Sequence, residues 1–249
     1  MRDWQKELEK RCEYIRELVK GAGAKGVVFG NSGGKDSALV GILCKKALGD
    51  DARVVGVILP CESKINFTSD MSDADSLSEK FGIEKHVVDL TDAKGEIVRR
   101  CEKVSPLNSV ALNNIAPRLR MTTLYTIGAA EGLLVAGTGN RCERYMGYFT
   151  KWGDGAFDFN PISDLYVSEV YEFLEFLGCP ENIIKKAPSA GLFEGQTDEK
   201  EMGVTYSEVE KYIKGEEISE KSKEIIRSYH NRSHHKRKGI EVFKNLEID

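Results

Sequence analysis

Between Lys25 and Val40 the chain runs from an apolar stretch, Val27-Val28-Phe29, through Gly30, Gly33 and Gly34 into an amphipathic segment that begins near Ser37. A short buried strand followed by a glycine turn and a helix fixes half of a βα unit. It also gathers free backbone N–H groups and the positive end of a helix dipole at one point. Such a point holds polyphosphate. Glycines let the backbone approach phosphate oxygens, Ser32 and Ser37 add hydroxyls, and Asp36 offers a carboxylate where a phosphate-bound Mg²⁺ would sit.

Two familiar phosphate loops are excluded by single residues. A Walker A loop requires Ser or Thr after Gly-Lys, whereas Gly34-Lys35 is followed by Asp36. Gly21-Ala22-Gly23-Ala24-Lys25-Gly26 matches GxGxxG but precedes the strand, so its glycines read as a linker ending the first helix.

Similar units recur along the chain. Strands are expected at Arg53 to Leu59, Lys85 to Leu90 and Leu133 to Ala136. Helices are expected at Trp4 to Val19, Ser37 to Leu48, Thr68 to Phe81 and Asn108 to Glu131, the last with an irregular start at Pro117. Strands alternating with helices at this spacing predict an α/β fold, a parallel sheet with helices on both faces, and ligands at the carboxyl ends of the strands. Beyond residue 150 the pattern changes to Gly- and Asp-rich loops with short helices at Val167 to Leu177, Tyr206 to Lys214 and Glu220 to His230. The 249 residues read as one domain: an N-terminal helix at about 2–20, a nucleotide-binding core at about 25–180, and C-terminal substrate-binding loops and helices at about 181–249.

Composition narrows the function class. A net charge of −4 argues against a nucleic-acid partner, although Arg232 to Lys238 is locally basic. No apolar run is long enough for a membrane span, and the charged N-terminus lacks the apolar centre of a signal peptide, so a cytoplasmic location is expected. The six cysteines form no CxxC pair and the four histidines no HExxH. Neither a disulfide framework nor a soft-ligand metal site is expected.

A second strand-end motif, Gly137-Thr138-Gly139-Asn140-Arg141-Cys142-Glu143, follows Leu133 to Ala136 and supplies a second carboxylate. Mg²⁺ on a polyphosphate commonly takes one or two protein carboxylates, so Asp36 and Glu143 are the expected pair if the fold brings the two loops together. The tract from Phe149 to Asp158 combines aromatic, glycine and charged residues, as suits a flat anionic ligand. A structural loop is an equal reading of that tract from its chemistry alone.

Ser32 to Ser37 resembles the SGGxDS loop of ATP pyrophosphatases, which cleave ATP between its α and β phosphates and adenylate a substrate oxygen. Several tracts follow in the order seen in ammonia-dependent NAD synthetases: Asn114 to Met121, Gly137 to Asn140, Gly147 to Gly155, Pro188 to Leu192, Gly195 to Glu199, and His235-Lys236-Arg237. This resemblance, from about residue 25 onward, implies a Rossmann-like fold of the adenine nucleotide alpha hydrolase type. It implies ATP-dependent amidation of deamido-NAD to NAD through an acyl adenylate, with ammonia as nitrogen donor and AMP and pyrophosphate as products. ATP would be held by Gly30, Asn31, Ser32, Gly33, Gly34, Lys35, Asp36, Ser37, Thr138 and Ser189. Mg²⁺ would be held by Asp36 and Glu143, and deamido-NAD by Arg118, Lys151, Asp158, His235 and Lys236. No covalent nucleophile is needed. The resemblance further implies a homodimer, and the chain length leaves no room for an amidohydrolase domain, so free ammonia is expected, with a separate glutaminase partner an open alternative that nothing in the sequence indicates.

Two departures stand out. The resemblance has Lys where this chain has Val167, and a Lys-Ala pair where it has Ala116-Pro117. Each missing cation weakens phosphate binding by about 1–3 kcal/mol unless replaced, and Lys35 or Lys64 offers a replacement. Competing readings are a tRNA-modifying or sulfur-transferring ATP pyrophosphatase, the latter disfavoured by the absence of paired cysteines, and a nucleotide-binding regulator without turnover. The loops at about 61–67 and 190–204 are expected to order around ligands.

Overall fold

The computed structural model describes residues 2–61, 64–185 and 198–241, with no side-chain description for 64–70. The loop positions 62–63 and 190–197, and Ser189, therefore lie outside the described residues. In chain order the elements are α1 (Trp4–Gly21), β1 (Gly26–Gly30), α2 (Lys35–Leu48), β2 (Arg53–Ile58), α3 (Lys64–Phe81), β3 (Glu84–Val87), α4 (Thr91–Cys101) and α5 (Ser109–Glu131). They continue with β4 (Leu133–Ala136), α6 (Arg141–Met146), α7 (Val167–Phe176), α8 (Glu181–Ile184), α9 (Asp198–Met202), α10 (Tyr206–Lys214), α11 (Glu220–Arg232) and α12 (His234–Arg237).

The four strands form a parallel sheet in the order β3-β2-β1-β4. Alternation along the strands sends Val27, Phe29 and Val54 to one face, where they pack with Leu39, Leu43, Ile15 and Phe173 from α2, α1 and α7. Val28, Val55 and Val57 face the other side and pack with Met121 and Leu124 of α5. The sheet is thus buried on both faces, which is why β1 reads as an unbroken apolar run. A third cluster joins Cys142, Met146, Val167, Tyr206, Val209 and Ile226 from α6, α7, α10 and α11.

The chain leaves β1 toward β2 and β3 and later returns on β1's other side as β4. That reversal opens a crevice between the carboxyl ends of β1 and β4, the position where open α/β sheets bind ligands. The β1–β2 register starts at Gly26 opposite Arg53. Gly26 has φ +148°, and a Cβ there would stand 2.0 Å from the Arg53 carbonyl oxygen, so only glycine lets the two strands begin together.

The expected helix at 108–131 starts where predicted, with the Asn108 side chain accepting from the Ala111 N–H. The irregular start expected at Pro117 is absent, however: α5 is helical from Ser109 to Glu131 with Pro117 inside it. Proline removes one backbone donor, and packing of the flanking Ala116, Met121 and Leu124 against the sheet offsets that loss. The third strand is shorter than the predicted Lys85 to Leu90, ending at Val87, although Val88 N–H and Leu90 N–H still donate to the Ile58 and Pro60 carbonyls. Among the described residues no helix is long and apolar enough to cross a membrane.

Candidate active site

The glycine loop closes on itself before α2 begins. Asn31 is buried and its Oδ1 accepts from the Gly33 N–H at 3.3 Å. Gly33 takes φ +68°, a turn in which a side chain would be strained. Ser32 Oγ and Ser37 Oγ lie 3.1 Å apart, and Ser37 Oγ donates to the Gly34 carbonyl at 3.0 Å. Gly34 precedes α2 without any side-chain cap, which leaves first-turn N–H groups for an anion.

The second strand end builds its turn differently. Asn140 is fully buried and caps α6: its Oδ1 accepts from the N–H groups of Cys142 at 3.0 Å and Glu143 at 3.1 Å. Glu143 answers by accepting from the Asn140 N–H at 3.0 Å, which completes a capping box. The remaining group of Asn140, its Nδ2, donates to Asp36 Oδ1 at 3.2 Å. One amide therefore ties the two carboxylates, which are far apart in sequence, into one arrangement.

A cation stands against Asp36. Lys35 Nζ is 2.7 Å from Asp36 Oδ2 and approaches the rings of Tyr171 and Tyr206, at 5.9 and 5.7 Å from their centroids. Burial lowers the Lys35 pKa, but Asp36 and Glu143 outweigh it and hold the ammonium above its ordinary range. Desolvation and then the Asp36 charge push the Glu143 carboxyl well above the usual range, with Lys35 opposing them. Two carboxylates and one ammonium leave the cluster short of positive charge, and oxygen-only donors suit a hard divalent cation. Among the described residues no three His, Cys, Asp or Glu side chains gather as a self-sufficient metal site. Phosphate oxygens and water would complete the coordination.

Ser32, Lys35, Asp36, Ser37 and Glu143 line a cleft of about 1170 Å³ that also takes in Gly30, Thr138, Asp158 and Lys236. Asp158 is occupied by the fold: Oδ2 accepts from the Val135 N–H at 2.7 Å and Oδ1 from the Tyr125 hydroxyl at 3.2 Å. Lys236 Nζ donates to the carbonyls of Gly147, at 2.8 Å, and Phe149, anchoring α12 beside the loop, and burial lowers its pKa. Arg118, Lys151 and His235 are not part of the cleft wall, although their neighbours Pro117, Thr150 and Lys236 are. They gather just outside it, where Arg118 Nε donates to the Lys151 carbonyl at 3.4 Å and Lys151 Nζ donates to the His235 carbonyl at 2.9 Å.

Arg120, Asp154, Asp198 and Glu201 also line the wall, and the sequence assigns them no role although they lie within or beside the quoted tracts. Arg120 Nε donates to the Leu59 carbonyl at 2.9 Å, joining α5 to the end of β2. Val167, where the resemblance has lysine, is buried in the cluster that contains Tyr206. Of the two replacement cations, Lys35 faces Asp36 and reaches the Tyr206 ring, whereas the Lys64 side chain lies outside the described residues.

Comparison with known proteins gives one family. The family described as NAD synthase matches residues 7–244. The NH(3)-dependent NAD(+) synthetase of Carboxydothermus hydrogenoformans is 43% identical over 242 residues, covering 96% of this chain and 98% of that protein. The solved NMN synthetase of Francisella tularensis superposes with a TM-score of 0.92 at 39% identity, covering 99% of this chain and all of that one. The NH3-dependent NAD synthetase of Campylobacter jejuni, solved with nitrate, gives 0.80 at 32% identity over 98% of this chain and all of that one.

Proposed function

The chain belongs to the NAD synthase family, and from that premise we infer that it amidates deamido-NAD to NAD at the expense of ATP, the last step of NAD biosynthesis. Ammonia is the nitrogen donor, and AMP and pyrophosphate are released. The observation that carries the reading is the convergence of Asp36 and Glu143 across Asn140 at the open N-terminus of α2.

The nicotinate carboxylate is a poor acceptor for an amine because its oxygen is a poor leaving group. Attack of that carboxylate oxygen on the α-phosphorus of ATP breaks the bond to the bridging oxygen, releases pyrophosphate and creates an acyl adenylate. The nitrogen of ammonia then adds to the activated carbonyl, AMP departs with the bonding electron pair, and loss of a proton leaves the amide. The first-turn N–H groups of α2, with Ser32 and Ser37, orient the triphosphate and meet the charge that gathers on the departing pyrophosphate. Asp36 and Glu143 would hold Mg²⁺, which when bound neutralises phosphate charge. Thr138 lies beside them for ATP, Asp158 and Lys236 line the path of the nicotinate nucleotide, and Arg118 and Lys151, with His235 beside them, offer cations to its anionic portion.

A second reading keeps the chemistry and shortens the acceptor. The Francisella protein is named an NMN synthetase, and its likeness to this chain exceeds that of the Campylobacter NAD synthetase in both identity and TM-score. Nicotinate mononucleotide carries the same pyridine carboxylate. Incubating the protein with ATP, Mg²⁺ and ammonium and either acceptor, and resolving AMP and the amide by chromatography, separates the two. Higher kcat/KM with deamido-NAD is expected. A tenfold preference for the mononucleotide would establish the second reading, and AMP release only with tRNA, or none at all, would sink both.

A homodimer accompanies this proposal. Val110, Tyr125, Trp152 and Phe157 expose apolar surface on α5 and on the loop that follows Thr150, and Val110 and Phe157 also line the cleft. Sedimentation equilibrium is expected to give twice the chain mass, and a monomer at micromolar concentration would refute it.

A further inference from the structure

A lysine on the first turn of a phosphate-binding helix has an obvious place to go, outward to the phosphates. Lys35 does not take it. Its side chain is 6% exposed and turned inward, with Nζ against Asp36 Oδ2 at 2.7 Å and the faces of Tyr171 and Tyr206 around it. Taking an ammonium out of water is costly unless charge compensates it, and here Asp36 and Glu143 do so, with the ring faces adding cation–π attraction. The other oxygen of Asp36 accepts from Asn140 Nδ2, so each oxygen already has one donor. A divalent cation that uses Asp36 as a ligand meets the Lys35 ammonium at the same carboxylate, and the two positive charges repel unless the lysine moves away. Asn140 is fixed by its own capping bonds to α6, whereas Lys35 hangs from a flexible four-carbon stem.

We propose that Lys35 is a resident counter-ion of the metal site, displaced from Asp36 by Mg²⁺ and transferred to the phosphate oxygens of the nucleotide that arrives with it. The inference rests on Asp36 and Glu143 being the metal's ligands. It goes beyond that reading by making metal and nucleotide bind interdependently. Metal alone must displace an ammonium from Asp36 and Glu143, the two carboxylates that the metal itself would take. Metal with nucleotide supplies the ammonium with another partner, so each ligand tightens the other by the same factor. A cation mobile between carboxylate and phosphate also answers the absence of a lysine at Val167, since Lys35 reaches the same Tyr206-containing cluster from α2.

The experiment measures Mn²⁺ binding directly by electron paramagnetic resonance, with and without the non-cleavable analogue α,β-methylene-ATP. Variants are Lys35→Met, which keeps the length and suits the two tyrosine rings, and Lys35→Gln, with melting curves reporting folding. For the wild type we expect weak binding of Mn²⁺ alone and at least tenfold tighter binding with the analogue. For both variants we expect Mn²⁺ alone to bind at least tenfold tighter than in the wild type, and the analogue to add less. Mn²⁺ affinity without nucleotide that is unchanged or weaker in the folded variants overturns the proposal alone. A wild type that binds no Mn²⁺ even with the analogue overturns the metal assignment of Asp36 and Glu143, and the proposal with it.

Discussion

Replacing Asp36 with Asn is expected to lower AMP formation by ~10²- to 10³-fold, the scale of removing one preorganised electrostatic partner of a transition state. The protein should stay folded. The substitution keeps an oxygen that can accept from Lys35 or Asn140, the donors that Asp36 now engages at 2.7 and 3.2 Å. It also changes two carboxylates facing one ammonium into one carboxylate facing one ammonium, which leaves burial but removes the Asp36 charge as a cause of the raised Glu143 pKa. Activity and stability should therefore separate. The measurement is AMP release with deamido-NAD and saturating ATP, beside a melting curve. Unaltered turnover would remove Asp36 from the metal site, and a collapsed melting temperature would show that its role is structural.

What the sequence discloses about this site divides along physical lines. The β1–loop–α2 unit is legible because each part is local: an apolar run buried on both faces, glycines at a turn, and a helix whose open N-terminus follows directly. Glu143 is legible as a carboxylate at a strand end, but its meeting with Asp36 depends on β4 lying beside β1. Strand order is set by how helices pack across the whole sheet, and no periodicity encodes it. Lys35 shows the opposite failure. Its position is fixed by the motif, yet whether the stem turns outward or back onto Asp36 depends on Tyr171 and Tyr206, which arrive from α7 and α10. Arg118, Lys151 and His235 were grouped by resemblance alone, and the geometry gathers them beside the cleft wall rather than in it. Pro117 has a local cost that the sequence shows, whereas the apolar packing that carries α5 through it comes from the sheet.

Asn140 had a readable signal that received no role. Asn at a strand end followed three residues later by Glu143 is a capping-box pattern, and a cap with a second polar group can do more than cap. Asn140→Asp isolates that second task. Aspartate accepts from the Cys142 and Glu143 N–H groups as well as asparagine does, and its charge suits a helix N-terminus, so α6 should keep its start. Toward Asp36, however, a donor at 3.2 Å becomes a carboxylate oxygen, and two like charges at that distance cannot both remain ionised in place. Asp36 must rotate away or one of the pair must take a proton, and either change spoils a ligand pair that has to receive Mg²⁺ and polyphosphate together. Turnover is expected to fall by ~30- to 100-fold, equivalent to about 2–3 kcal/mol of lost transition-state stabilisation. The Mg²⁺ concentration for half-maximal rate should rise with it, while the melting temperature moves little. Asn140→Ser, which keeps a short cap acceptor but cannot span to Asp36, should be less impaired than the aspartate because it adds no charge. Equal activity in wild type and Asn140→Asp at every Mg²⁺ concentration would confine Asn140 to capping α6.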